Sequence, residues 1–330
     1  MEIVVLIVLL GLFFDYTNGF HDAANVVSTV IATRVLAPVS AIVMAGVLNF
    51  IGATQISGVA QTIATGLVDA THATQAVVLS AVVGAIFWNI LTWYCGIPSS
   101  SSYALIGGLL GAAWTHQGIS SILWDGVIGK VLLPMVFSPL IGFLIAFLIM
   151  KLLYVYLHYH PGAHGKAIFR HLQIGSACFV ALAHGLNDAQ KSMGIITLGL
   201  FTTGYIATPE IPLWVIFACA ITMGLGTASG GFRIIKTMAF SITKIEPVQG
   251  FAAETSASFI ILLASFLGMP VSSTQMIAGS ITGVGTAKSR SAVTWKTPQK
   301  LVVAWMLTLP GAASLGALAY LLLAQIPALV

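Results

Sequence analysis

Charge is scarce in this sequence. Only 7% of its 330 residues are Asp, Glu, Lys or Arg, against roughly a quarter in an ordinary soluble domain, while 58% are hydrophobic. A soluble enzyme, a nucleic-acid-binding protein and a disordered tail each need a polar surface that 13 basic and 9 acidic residues cannot supply, which excludes all three. A mean hydropathy of +1.00 places the chain in a bilayer. Cysteine is scarce as well: Cys95, Cys178 and Cys219 are widely spaced and form no CxxC, so neither a disulfide framework nor a thiolate metal site is expected, and they read as small core residues. Sustained alternation of apolar and polar residues is missing, which argues against a transmembrane barrel. The apolar N-terminus, Ile3 to Phe14 behind Glu2, lacks the basic segment and small-residue cleavage site of a secretory signal and is expected to be retained.

What is present is apolar length. About ten stretches are candidates to span: 3–33, 38–57, 75–95, 98–114, 128–152, 173–203, 211–230, 251–268, 271–287 and 301–325. Several are interrupted by Gly or Pro. The expected fold is an all-α polytopic membrane protein with about ten to twelve transmembrane segments, some of them discontinuous. Basic residues fall into four groups: Arg34; Lys151, Lys166 and Arg170; Arg233, Lys236 and Lys244; and Lys288, Arg290, Lys296 and Lys300, with Lys130 and Lys191 apart. Putting the groups on the cytoplasmic side leaves both termini outside and gives the two halves opposite orientation. The expected division is a first inverted repeat at 1–155, a cytoplasmic loop at 156–167 and a second repeat at 168–330.

Internal duplication supports this. GFHDAAN (19–25) precedes GIPSSSSYALIGGLLG (96–111) in the first half, and GLNDAQK (185–191) precedes GMPVSSTQMIAGSITG (268–283) in the second. Inverted repeats with broken helices are the pattern of secondary transporters, whose solute binds where the repeats meet.

Asp22 and Asp188 lie well inside apolar segments, where a carboxylate costs several kcal/mol, roughly 3 on insertion scales, unless it meets a cation or a donor. Gly19 and Gly185 just before them are expected to let each helix unwind and free backbone carbonyls for a hard cation. Asn25, Asn187 and Gln190 lie within a turn of the carboxylates and can offer amide hydrogens or oxygens, and Lys191 would be an unneutralised charge unless it faces an acid or the solute. His21 and His184 neighbour the motif without being compelling ligands. The two Gly-x-Pro-x-Ser-Ser-Ser/Thr elements read as re-entrant hairpins. Proline suits the start of a helix, Ser99 is the expected plain cap, and the free N–H groups favour an oxyanion such as phosphate. Anion donors are then Ser101, Ser102, Ser273 and Thr274 together with Asn25, Gln190 and Lys191. Hydroxyls also bind sodium, so Ser100 and Ser272 join Asp22, Asn187 and Asp188 as cation ligands.

The doubled Asp motifs, with Gly-Met-Pro-Val-Ser-Ser-Thr and Gly250-Phe251-Ala252-Ala253-Glu254, resemble those of the PiT family of inorganic phosphate transporters. The resemblance runs through both halves. It implies cation-coupled uptake of inorganic phosphate at a central site shared by the Asp motifs and hairpins, with Glu254 an acid important to coupling and so a further sodium ligand. Asn49 stands where many animal members carry a second Glu, and His21 replaces the Asn they have before the first Asp. Phosphate beside two carboxylates at low dielectric needs cations to enter with it. The oxygen-rich donor set favours sodium, and no other cofactor is expected. The alternatives are proton-coupled symport of phosphate or a metal-phosphate complex and, from other classes, an ion channel or an intramembrane serine hydrolase using one Ser cluster with His21 or His184. The expected setting is the cell membrane, with the lipid bilayer and a second copy in a homodimer as candidate partners and no nucleic acid.

Overall fold

A computed structural model describes residues 2–159 and 163–326, with the side chains of 163–166 outside the described set. The chain forms helices α1 (Glu2–Ala32), α2 (Pro38–Ala53), α3 (Gly58–Thr65), α4 (Gln75–Tyr94), α5 (Ser101–Gln117) and α6 (Trp124–Tyr159), followed by α7 (Ala163–Thr202), α8 (Leu213–Ser229), α9 (Phe232–Phe240), α10 (Pro247–Phe266), α11 (Ser273–Lys288) and α12 (Lys296–Leu323). No strand occurs among the described residues. Each of the ten apolar stretches is helical over most of its length, and the chain is an all-α polytopic membrane protein.

The second six helices repeat the first six in order. α2–α3 bends by 69° and α8–α9 by 67°. The isolated bridge Val68–Ile122 has its counterpart in Thr243–Val293. Among the described residues five helices, α1, α4, α6, α10 and α12, are long and apolar enough to cross a membrane, or up to seven spans if each bent pair is one. α5 and α11 have 17 and 16 residues, about 25 Å at 1.5 Å per residue, short of a hydrocarbon core of about 30 Å. α7 has 40 residues, and polar side chains rather than length keep it out of that set.

The molecule is polar inside and apolar outside. Leu140, Leu144, Leu148 and Leu152 run down an exposed face of α6 at a spacing of four, whereas Asp15, Asp22, Asp188, Lys191 and Glu254 are buried. Water does not favour that arrangement and a bilayer does. The helices bearing the two Asp motifs form the central seam. Thr33 Oγ1 donates to Gln173 Oε1 (2.9 Å), Asn18 Nδ2 to the Asp188 carbonyl (3.5 Å) and Ser192 Oγ to Asp15 Oδ1 (2.6 Å). Falling numbers on α1 meet rising numbers on α7, so the two helices are antiparallel.

The expected loop at 156–167 is shorter than its sequence suggests, because α6 continues to Tyr159 and α7 begins at Ala163. Residues 160–162 of it, and the terminal residues 1 and 327–330, lie outside the described ones. Each hairpin helix packs on the last helix of the opposite half, α5 on α12 and α11 on α6. Residues 124–159 therefore sit in space with the second half.

Candidate functional site

Both Ser/Thr elements fold as hairpins, α4–α5 and α10–α11. Gly96 and Gly268 end α4 and α10 at φ of +66° and +65°, the left-handed conformation that a side chain disfavours. The next amides close back on the helix, Ile97 N–H to the Thr92 carbonyl at 2.9 Å and Met269 N–H to the Ala264 carbonyl at 2.8 Å. Pro98 and Pro270 stand in the connectors rather than in the first turns of α5 and α11. The caps are Ser100, accepting from Tyr103 N–H at 3.2 Å, and Ser272, accepting from Gln275 N–H at 3.3 Å. Ser99, the expected cap, instead donates to Thr92 Oγ1 at 2.9 Å. The difference is one residue: the chain stays extended through Ser100 and turns helical at Ser101.

Two short helices hold the tips of these hairpins. Thr62 Oγ1 on α3 donates to the Gly268 carbonyl at 2.7 Å, and Thr237 Oγ1 on α9 donates to the Gly96 carbonyl at 3.1 Å. Each half therefore grips the other half's hairpin.

The same crossing builds the centre. Asn25 Nδ2, from the first half, donates to Ser273 Oγ (3.1 Å) and Thr274 Oγ1 (2.9 Å) of the second hairpin, and Thr274 Oγ1 donates to Asp22 Oδ1 at 3.2 Å. Lys191 Nζ, from the second half, donates to Ser102 Oγ of the first hairpin, to the Val271 carbonyl (2.9 Å) and to Asp188 Oδ1 (2.6 Å). One ligand atom each from Asp22, His184 and Asp188 lie within 4.8 Å of one another. His21 Nδ1 contacts Asp22 Oδ1 at 3.0 Å, and His184 Nε2 approaches Asp188 Oδ2 at 3.4 Å. Ser101 Oγ is buried with no partner. All of these side chains are at most 2% exposed, so the centre is closed off from solvent. Two helix N-termini, four hydroxyls, an amide, an ammonium and two carboxylates meet there, a set able to hold an oxyanion and hard cations together.

Other expected ligands stand elsewhere. Gln190 Oε1 accepts from the N–H groups of Val59 (2.8 Å) and Ala60 (3.1 Å), capping α3, while its Nε2 donates to the Leu186 carbonyl. Asn187 Nδ2 donates to Ser265 Oγ (2.9 Å) and to the Met269 carbonyl (3.1 Å), fixing α7 to the second hairpin. Ser100 and Ser272 are occupied as caps. Glu254 accepts from Gln173 Nε2 (3.1 Å) and from Ser176 Oγ. Ser176 precedes Asp188 on α7 by twelve residues, about 18 Å of helix, so Glu254 is not part of the central cluster.

Helix unwinding at Gly19 and Gly185 does not occur, since α1 and α7 remain helical through both. These glycines serve close packing: a Cβ on Gly185 would lie 2.2 Å from the Asn49 carbonyl oxygen, and one on Gly19 would lie 2.7 Å from the Met223 carbonyl oxygen. Gly185→Ala is expected to lower stability by about 1–3 kcal/mol through overpacking. Gly175→Ala on the same helix, where a Cβ meets nothing within 4 Å, should be neutral or stabilising. Thermal unfolding of both variants in detergent checks the contrast.

The phosphate transporter family is matched over residues 18–316. The chain belongs to that family. This transporter is 46% identical over 317 residues to a protein of Rhizobium meliloti (strain 1021) described as a "probable low-affinity inorganic phosphate transporter", covering 95% of this chain and 94% of that one. A Bacillus subtilis (strain 168) protein of the same description is 43% identical, covering 98% and 97%. A solved structure described as "the sodium-dependent phosphate transporter" superposes with a TM-score of 0.89 at 24% identity, covering 99% of this chain and all of that one, and shows the shared fold. The family is one of transporters and not of enzymes, which sets the hydrolase reading aside.

Sequence reasoning passed over Asp15, Asn18 and Ser192, all buried on the α1–α7 seam. A signal was available: Asp15, Asn18, Asp22 and Asn25 recur at i, i+3, i+7 and i+10, one face of a helix.

Proposed function

We propose that this transporter carries inorganic phosphate across the cell membrane in symport with sodium. The observation that carries the reading is the convergence of Asp22 and Asp188, one from each half, beneath the N-termini of both hairpin helices. Phosphate is held by Ser101, Ser102, Ser273, Thr274, Asn25 and Lys191, and sodium by oxygens about Asp22 and Asp188. Lys191 neutralises one of the two carboxylates, so before cations bind the centre keeps a net negative charge and repels phosphate. Sodium removes that charge, which makes cation and anion binding mutually dependent. The name of the solved structural neighbour supports sodium as the coupling ion.

The antiparallel pairing of α1 with α7 supports inverted repeats, with alternating access arising as one half moves against the other. Arg170 Nη2 donates to the Arg34 carbonyl at 3.3 Å, which puts two of the basic groups at one end of the molecule and supports a cytoplasmic connection between halves with both termini outside.

The contacts of His21 and His184 with the two carboxylates favour a second reading, in which protons replace sodium. Uptake of labelled phosphate into proteoliposomes under separately imposed sodium and proton gradients decides between them. Accumulation is expected with an inward sodium gradient at equal pH and not with a proton gradient alone. The reverse result selects the proton, and uptake indifferent to both removes the symport reading.

A further inference from the structure

Two turns before Asp22 on the same face of α1, Asp15 is fully buried. Its Oδ1 accepts from Ser192 Oγ of α7 at 2.6 Å, and its Oδ2 is buried without a donor. One turn on, Asn18 is also fully buried; its Nδ2 donates to the Asp188 carbonyl at 3.5 Å, and its Oδ1 likewise has no donor. Residues three apart on a helix are neighbours. Ser192 and Asp188 are four apart on α7, so both α1 side chains face one stretch of the seam. A carboxylate oxygen and an amide oxygen are both acceptors and cannot satisfy each other. Leaving two buried acceptors without a protein donor is costly, and a bound cation satisfies both at once.

The charge balance points the same way. With all three carboxylates ionised, Asp15, Asp22 and Asp188 outnumber the single ammonium of Lys191 by two, and the imidazoles of His21 and His184 lie at Asp22 and Asp188 rather than at Asp15. The other titratable groups that feel the Asp15 charge are Asp188 on α7 and Cys219 on α8, neither of which supplies a positive charge. Beside the Met223 backbone N–H and the Cys219 thiol of α8, the polar side-chain atoms at Asp15 on the α1–α7 seam are oxygens of carboxylate, amide and hydroxyl. Those oxygens are a hard-cation set without the imidazole or thiolate a transition metal prefers.

We infer that Asp15, Asn18 and Ser192 form a second sodium site, about 10 Å along the helix from the Asp22–Asp188 centre. The inference rests on the sodium reading above and adds to it an ion bound apart from phosphate. An ion there bridges α1 and α7, the antiparallel pair on which both Asp motifs are carried, so its binding orders the seam before phosphate arrives.

Equilibrium binding of radiolabelled sodium to the purified full-length protein, in choline chloride at constant ionic strength and without phosphate, tests this. Asp15→Asn, close to isosteric, should bind one sodium fewer per chain than the wild type. Asn18→Ala and Ser192→Ala each keep the carboxylate and should weaken that ion about tenfold, which preserves the test if the Asp15 variant folds poorly. Asp22→Asn should retain the Asp15 ion. If Asp15→Asn, Asn18→Ala and Ser192→Ala all bind sodium as the wild type does while Asp22→Asn binds less, the second site is overturned and the central one stands; Asp15 is then a permanently protonated structural group. If Asp22→Asn alone abolishes all binding, there is no independent site. A wild type that binds no sodium overturns both readings.

Discussion

Asp22→Asn and Asp188→Asn are each expected to reduce gradient-driven phosphate accumulation to the level of empty liposomes, with the protein still inserted and purified in normal yield. Asparagine keeps the shape of the side chain and one acceptor oxygen but removes the charge that a cation needs. A hydrogen bond or ligand contact to a charged group is worth up to about 3 kcal/mol, or roughly a hundredfold in affinity. A symporter that has lost the cation cannot bring phosphate against the remaining carboxylate, so the loss appears in accumulation rather than in folding. The two variants should differ in stability. Asp22→Asn preserves an oxygen for the Thr274 hydroxyl at 3.2 Å, whereas Asp188→Asn strips Lys191 of its counter-charge at 2.6 Å. The first should therefore unfold near the wild-type temperature and the second below it. Wild-type accumulation in either variant would remove the central site from the mechanism.

How far the sequence could be read depended on whether a feature is local. The positions of the long helices followed from apolar length, whereas the short α3 and α9 lie outside every apolar stretch. The hairpins followed from Gly-x-Pro-x-Ser, where a left-handed glycine, a proline without a donor and a capping hydroxyl each act within one turn. The Asp motifs were legible because a carboxylate in an apolar run demands a partner. Tertiary roles were not. Nothing within a turn of Gln190 says that its amide caps α3, more than a hundred residues away in the chain. Gly185 reads equally as a hinge or as a contact point, and only the Asn49 carbonyl lying against it decides for contact. Resemblance groups Glu254 with the Asp pair, yet its helix carries it to Gln173 and Ser176. Asp15 was hidden by the apolar run around it, since its partner Ser192 lies in the other half of the chain.

Lys191→Met is expected to cost about 3–5 kcal/mol of stability and to abolish transport, because removing one member of a buried ion pair strands the other in low dielectric. Adding Asp188→Asn to that variant should recover part of the lost stability, since both charges are then gone, while transport remains absent. The sign of this coupling separates two roles for the ammonium. A lysine that only neutralises Asp188 predicts that the double variant, with Asp22 still charged, regains some cation-dependent phosphate binding. A lysine that also faces the anion predicts none, and the geometry favours this second role: Nζ reaches Ser102 Oγ and the Val271 carbonyl at the mouths of both hairpins as well as Asp188. Unfolding of the four proteins of the cycle in detergent, with phosphate binding measured on the same preparations, gives both readouts. Equal stability losses in the single Lys191 variant and the double variant would mean that Asp188 is already neutral in the resting protein, and the charge argument for cation coupling would then rest on Asp22 alone.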